Sequence, residues 1–208
     1  MERVAKAIKQ DVIRFAKQAA AAGLMPNTQG NVSARDPQTG YIAITPHDYP
    51  YDVMTEDDIV IVDEHAHPVA GRLAPSGEAS VHCAVYRARP DVHGIVHTEP
   101  IYTNCFGALG MAIEPVAVSL IVDLGGAVPV MPFMPSGSDE FGQRMLEVMG
   151  DKQGVVWGNH GLLTIGVTVE QAYRRTVIVE SVAQIYHLCL TIGKPVVLKP
   201  EMLKAAIA

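Results

Sequence analysis

Four residues combine types and spacing able to hold a metal ion. His97 closes the apolar run Gly94-Ile95-Val96-His97, and Glu99 follows two residues later. In extended backbone, residues i and i+2 project from one face, so this pair can converge on one ion. His160 follows a second apolar run, Val155-Val156-Trp157, with glycines on both sides of the Asn159-His160 pair. Those glycines allow close backbone approach. Glu78 opens a predicted helix after the turn Pro75-Ser76-Gly77, where an ionised carboxylate gains from the helix N-terminus. Glu78, His97, Glu99 and His160 together make a two-imidazole, two-carboxylate site suited to a divalent Lewis acid. Glu78 is also a candidate proton carrier, with a pKa raised by a closed apolar pocket. By spacing alone, the same four read equally well as strand-end polar residues facing water. The remaining histidines point elsewhere: His65, His67 and His93 read as solvated, His187 as packed, and His82 as sharing a helix face with Glu78.

These residues need elements to position them. The stripe Val4, Ile8, Val12, Phe15, Ala19 and Ala22 predicts a helix from Arg3 to Ala22, stopped by Gly23. Turn signals separate strands at 31–35 and 41–45, which read as a hairpin. Further strands are predicted at 59–63, 68–70, 94–97, 116–122, 128–131 and 154–157. Helices are predicted at 77–87, capped by Ser76, and at 101–109, 141–149 and 169–192. Without an internal repeat or linker, residues 1–208 read as one α/β or α+β domain.

Composition narrows the function. The chain is 49% hydrophobic and 18% charged, which suits a packed core and excludes a disordered chain. A net charge of −6 opposes the basic footprint that nucleic acid requires. No apolar run is long enough to span a membrane, and the first fifteen residues lack the apolar centre of a signal peptide. Three scattered cysteines without a Cys-x-x-Cys suit a reducing compartment. The expectation is a soluble, cytoplasmic protein with a small-molecule substrate and neither nucleic-acid nor membrane partners.

Several ordered motifs then carry a resemblance. They are Gly30-Asn31-Val32-Ser33-Ala34-Arg35, Ile44-Thr45-Pro46, Pro75-Ser76-Gly77-Glu78, Tyr86 to Val92, Val96-His97-Thr98 and Asn159-His160-Gly161-Leu162-Leu163. From about Val4 to Pro195 the chain resembles the class II aldolase/adducin family. The resemblance implies a three-layer α/β/α sandwich with a mainly antiparallel central sheet. It also implies a homotetramer with active sites between subunits and one divalent metal per subunit, commonly zinc. The family's metal histidines fall on His97, Glu99 and His160, and its acid/base glutamate on Glu78. Its substrate phosphate contacts fall on Gly30 and Asn31, on Thr45, His47 and Asp48, and on Ser76 and Gly77.

Four positions depart from the family pattern. Glu99 replaces a histidine, which makes manganese or iron more competitive with zinc. His47-Asp48 replaces a hydroxyl-glycine pair, and Asp48 repels a phosphate. Gly77 replaces a serine, and Val118 falls near the family's proton-donating tyrosine. The implied activity is retro-aldol cleavage of a hydroxy-carbonyl compound through an enediolate. Decarboxylation of a hydroxy- or oxo-acid, sugar-phosphate epimerisation and a non-catalytic adducin-like interaction module are the alternatives.

Overall fold

The computed structural model describes residues 4–202; the predicted helix start at Arg3 lies outside them. Eight strands build one sheet: β1 (Asn31–Arg35), β2 (Ile42–Ile44), β3 (Val60–Val62), β4 (Pro68–Ala70), β5 (Gly94–Thr98), β6 (Val130–Met131), β7 (Gly154–Trp157) and β8 (Gly161–Gly166). Their spatial order is β4-β3-β2-β1-β5-β8-β7-β6. Every neighbouring pair is antiparallel except β6 and β7.

Alternating side chains divide the core between the two faces of this sheet. Ile95 of β5, Val155 and Trp157 of β7, and Leu163 and Ile165 of β8 pack under α2 (Ala79–Ala88) and α5 (Asp139–Met149). On the other face, Val32 and Val96 pack under α1 (Lys6–Ala21) and the start of α6 (Val169–Ile192). Val156 and Leu162 meet α3 (Ile101–Leu109), α4 (Val118–Leu124) and the rest of α6. The α/β/α sandwich with a mainly antiparallel sheet is therefore the architecture observed.

Three local expectations differ from the structure. The β-branched run 116–122 forms helix α4 instead of a strand. Leu120 and Leu124, one turn apart, bury against α6, and Gly125 closes the helix in the left-handed region. Tertiary burial overrides strand propensity there. Helix α2 begins at Ala79, not Gly77, and Ser76 does not cap it; Glu78 holds the N-cap position with its side chain free for other work. His160 lies in the tight turn between β7 and β8, and β8 itself is a strand that periodicity missed because Gly161–Gly166 is buried throughout and shows no alternation.

Helix α3 begins two residues after Glu99, at Ile101, and its N-cap, Pro100, has no capping side chain. Glu180 of α6 supplies the cap: its carboxylate accepts hydrogen bonds from the Tyr102 and Thr103 amides and the Thr103 hydroxyl, at 2.9, 2.9 and 2.7 Å. That ties the segment carrying Glu99 to the longest helix. Replacing Glu180 by Ala should cost about 1–2 kcal/mol, of the size of a lost N-cap. Thermal denaturation then shifts down by a few degrees, and Glu180→Gln recovers only part of the loss.

Candidate metal centre and substrate cavity

Three of the four predicted ligands converge. Glu78, His97 and His160 each present one ligand atom, and these atoms lie within 4.8 Å of one another. Glu78 Oε2 is 3.2 Å from His97 Nε2, and Glu78 Oε1 is 3.3 Å from His160 Nε2. Two ligands about 2.1 Å from a tetrahedral ion would lie about 3.4 Å apart, so these separations suit one shared cation. Glu99 stands at the rim of the cluster, its carboxylate 3.9 Å from His160 Nε2.

The hydrogen bonding around His97 points the same way. Its Nδ1 lies 3.0 Å from the Leu162 carbonyl, which can only accept, so Nδ1 carries the proton. That leaves the Nε2 lone pair directed at the Glu78 carboxylate, buried and without a hydrogen-bond partner. Two acceptors face each other in a desolvated place, an arrangement that a cation between them satisfies. A histidine ligand with its second nitrogen fixed on a carbonyl is the usual metal-binding arrangement. The residues present therefore fit a divalent metal.

Glu78 is held as an anion. Burial raises its pKa, but His97, the Asn31 amide at 2.8 Å, His160 and the Ser136 hydroxyl at 2.9 Å outweigh burial and set it at about 2. The raised pKa expected from the sequence is thus reversed, because the neighbouring His97, and after it the hydrogen bond from Asn31, favour the charged form over burial. Burial pushes the Glu99 carboxyl upward, as does the neighbouring Glu78, against the pull of His160. Burial first, then the neighbouring His97, lower the pKa of His160, which keeps its ring neutral and able to ligate.

The strands explain the positions. Asn31 of β1 pairs directly with His97 of β5, and His97 with Leu163 of β8. Trp157 of β7 stacks on the His97 ring at 4.3 Å and meets the His160 ring edge-on at 5.1 Å. Asn159 takes φ of 57° in the turn, and the His160 amide bonds back to the Trp157 carbonyl. Gly161 permits the close approach: a Cβ there would fall 2.5 Å from the Thr98 carbonyl oxygen and 2.8 Å from His97 Cε1.

A cavity of about 310 Å³ opens onto the cluster. Gly30, Asn31, His47, Asp48, Ser76 and Gly77, expected at the substrate, all line it together with Glu78, His97, His160 and Glu99, expected at the metal. Thr45 lies behind the wall: its hydroxyl accepts from the Val32 amide and its carbonyl from the Ser76 amide. Tyr51 braces the Gly30 loop by donating to the Gly30 carbonyl at 2.6 Å; burial first, then Glu78 and Glu99, push its pKa up and keep the proton on. Val118 opens α4 and is about half exposed, outside the cavity lining. His82 is buried behind the site against the Ser33 hydroxyl.

Sequence reasoning passed over Ser136, Trp157, Thr28 and Gln29. Ser136 had a signal, since Pro135-Ser136-Gly137 repeats the pattern Pro75-Ser76-Gly77 ahead of a helix. Trp157 had none beyond its place at a strand end.

Residues 10–187 match the family described as Class II Aldolase and Adducin N-terminal domain. A 5-deoxy-D-ribulose 1-phosphate aldolase of Bacillus thuringiensis is 30% identical over 193 residues, covering 93% of this chain and 90% of the relative. A 5-methylthioribulose-1-phosphate/5-deoxyribulose-1-phosphate aldolase of Escherichia coli is 32% identical over 204 residues, covering 97% and 93%. The solved structure of an L-fuculose 1-phosphate aldolase superposes with a TM-score of 0.93 at 28% identity, covering 99% of this chain and 97% of that one.

Adding a methyl group at Gly161 pits a side chain against fixed backbone. Gly161→Ala should lose about 1–3 kcal/mol of stability and most of its divalent-metal affinity, whereas Gly193→Ala, where the new methyl meets open space, should change neither. Calorimetric melting and metal titration of both variants check this.

Proposed function

This chain belongs to the class II aldolase and adducin family, and we propose that it is a single-domain, divalent-metal-dependent carbon–carbon lyase. Its substrate is a small, sugar-type hydroxy-carbonyl compound, cleaved by a retro-aldol step. One observation carries the reading: an ionised carboxylate and two imidazole lone pairs converge at the floor of a substrate-sized cavity. Glu78, His97 and His160 would hold the metal, with Glu99 as a further ligand from the rim.

Bound there, a divalent metal supplies Lewis acidity that polarises the substrate carbonyl and stabilises the negative charge left by bond cleavage. The protein does the rest. In the retro-aldol step the substrate hydroxyl loses its proton and becomes a carbonyl as the C–C bond breaks. The bonding pair passes to the carbonyl fragment, which takes up a proton at carbon. Glu78 is held ionised and therefore enters as proton acceptor, carrying the hydroxyl proton to the new carbanion. Asn31 and Ser136 aim its two oxygens, and Trp157 keeps the imidazoles in place. Aldolase relatives spanning nearly the whole chain favour aldol cleavage over decarboxylation or epimerisation. The ligand cluster speaks against an interaction module.

Glu99 adds negative charge at the rim and moves metal preference from zinc toward manganese or iron. The assembly proposed is a homotetramer with active sites between subunits. Its support is the exposed apolar side chains of Ile101, Leu109, Val118, Val122, Leu188 and Ile192 on α3, α4 and α6. A cytoplasmic location rests on three cysteines that are all unpaired. No described helix is long and apolar enough to cross a membrane.

Protein purified without added metal should contain one divalent ion per chain and lose its aldol activity on chelation. Glu78→Gln should lower kcat by about 100-fold or more, and Glu99→His should shift bound metal toward zinc. Activity that survives complete metal removal would sink the lyase reading. Sedimentation analysis should give four times the chain mass.

A further inference from the structure

Around the Pro46–Asp48 turn, the cavity wall is built against anions. Asp48 adopts φ of 47°, a left-handed backbone that fixes the turn, and the Thr28 hydroxyl donates to its carboxylate at 2.6 Å. The carboxylate is thereby anchored to the wall of the cavity. His47 sits across from Gly77, where a Cβ would lie 4.0 Å from its Nδ1.

Three amides of this wall are already engaged. The His47 amide donates to the Ala74 carbonyl, the Ser76 amide to the Thr45 carbonyl, and the Glu78 amide to the Ser76 hydroxyl. Among the described residues no lysine or arginine lines the cavity, which holds the carboxylates of Asp48, Glu78 and Glu99. With a divalent ion bound, the cavity still has one carboxylate in excess. A dianionic group brought beside Asp48 meets like charge with no cationic lysine or arginine among the described lining residues to offset it.

We infer that the Pro46–Asp48 turn forms a subsite for an uncharged, hydroxyl-bearing group, and that Asp48 excludes a phosphate ester there. Substrate hydroxyls donate to the Asp48 carboxylate, and His47 offers an imidazole to the same end of the molecule. The substrate class is thus an unphosphorylated polyhydroxy carbonyl compound, unlike the phosphate esters named for the relatives. This inference rests on the lyase reading for its orientation in the cavity.

The test compares dihydroxyacetone with dihydroxyacetone phosphate, the carbonyl fragments that an unphosphorylated ketose and its 1-phosphate would release. Binding to the metal-loaded protein is read by ligand-observed NMR, which detects millimolar affinities. The wild type should bind the phosphate ester no more tightly than the free ketone. Asp48→Gly, suited to this left-handed backbone, should gain at least about tenfold for the ester and little for the ketone. Asp48→Asn should move the same way, which separates charge from space.

Tighter wild-type binding of the ester, failure of the ketone to bind, or an unmoved ratio in Asp48→Gly overturns the inference. Cleavage of a ketose and of its 1-phosphate is followed in parallel. If neither is cleaved while the binding preference holds, the lyase reading fails and the subsite stands. If the 1-phosphate is the better substrate and binds more tightly, the subsite fails and the lyase reading stands.

Discussion

Three lone-pair acceptors forced together out of water are the constraint on which this structure turns. Glu78, kept ionised by His97 and by hydrogen bonds from Asn31 and Ser136, faces the Nε2 of His97 and of His160 at 3.2 and 3.3 Å. Burying a carboxylate without a countercharge costs several kcal/mol. A divalent cation removes that cost, because each ligand exchanges repulsion for coordination. Binding free energy recovered in this way is also folding free energy for the residues that meet there.

Holding such a cluster requires rigid neighbours, and the sheet supplies them. His97 lies on β5 between β1 and β8, so its backbone is fixed by ladder bonds on both sides. Its ring is clamped between the Leu162 carbonyl and the face of Trp157. Trp157 is itself buried against Phe141, which transmits the packing of α5 to the His97 and His160 rings. Glu78 approaches from above because α2 starts one residue beyond it. A normal side-chain cap at that position would have turned the carboxylate back onto its own helix, so the missing cap is part of the site.

How much of this was legible follows from the physics of each residue. The i, i+2 spacing of His97 and Glu99 and the glycine-flanked His160 pointed to a metal site because ligand chemistry restricts residue types. The α/β/α class followed from motifs that recur in order along the chain. Helix α4 was misread because its Val118–Val122 run is β-branched, and only α6 packed against it decides the matter. Strand β8 stayed hidden because a strand buried on both faces has no alternation to detect. The pKa of Glu78 was invisible for a similar reason: burial can be guessed from apolar neighbours, but Asn31 and Ser136 arrive from 47 and 58 residues away.

The site divides into two parts that can change separately. The Glu78, His97 and His160 cluster sits on a helix start, a strand end and a three-residue turn, where small displacements would separate the three side chains. The substrate walls are the Thr28–Gly30 loop and the Pro46–Asp48 turn, whose side chains answer to whatever the cavity must recognise. Asp48 shows the difference: its left-handed backbone preserves the path of the turn while its side chain alters the charge. A change of residue type there costs little in the fold and much in selectivity. The residues that recognise a ligand can thus vary separately from the Glu78, His97 and His160 cluster, in a chain about 30% identical to its sugar-phosphate aldolase relatives.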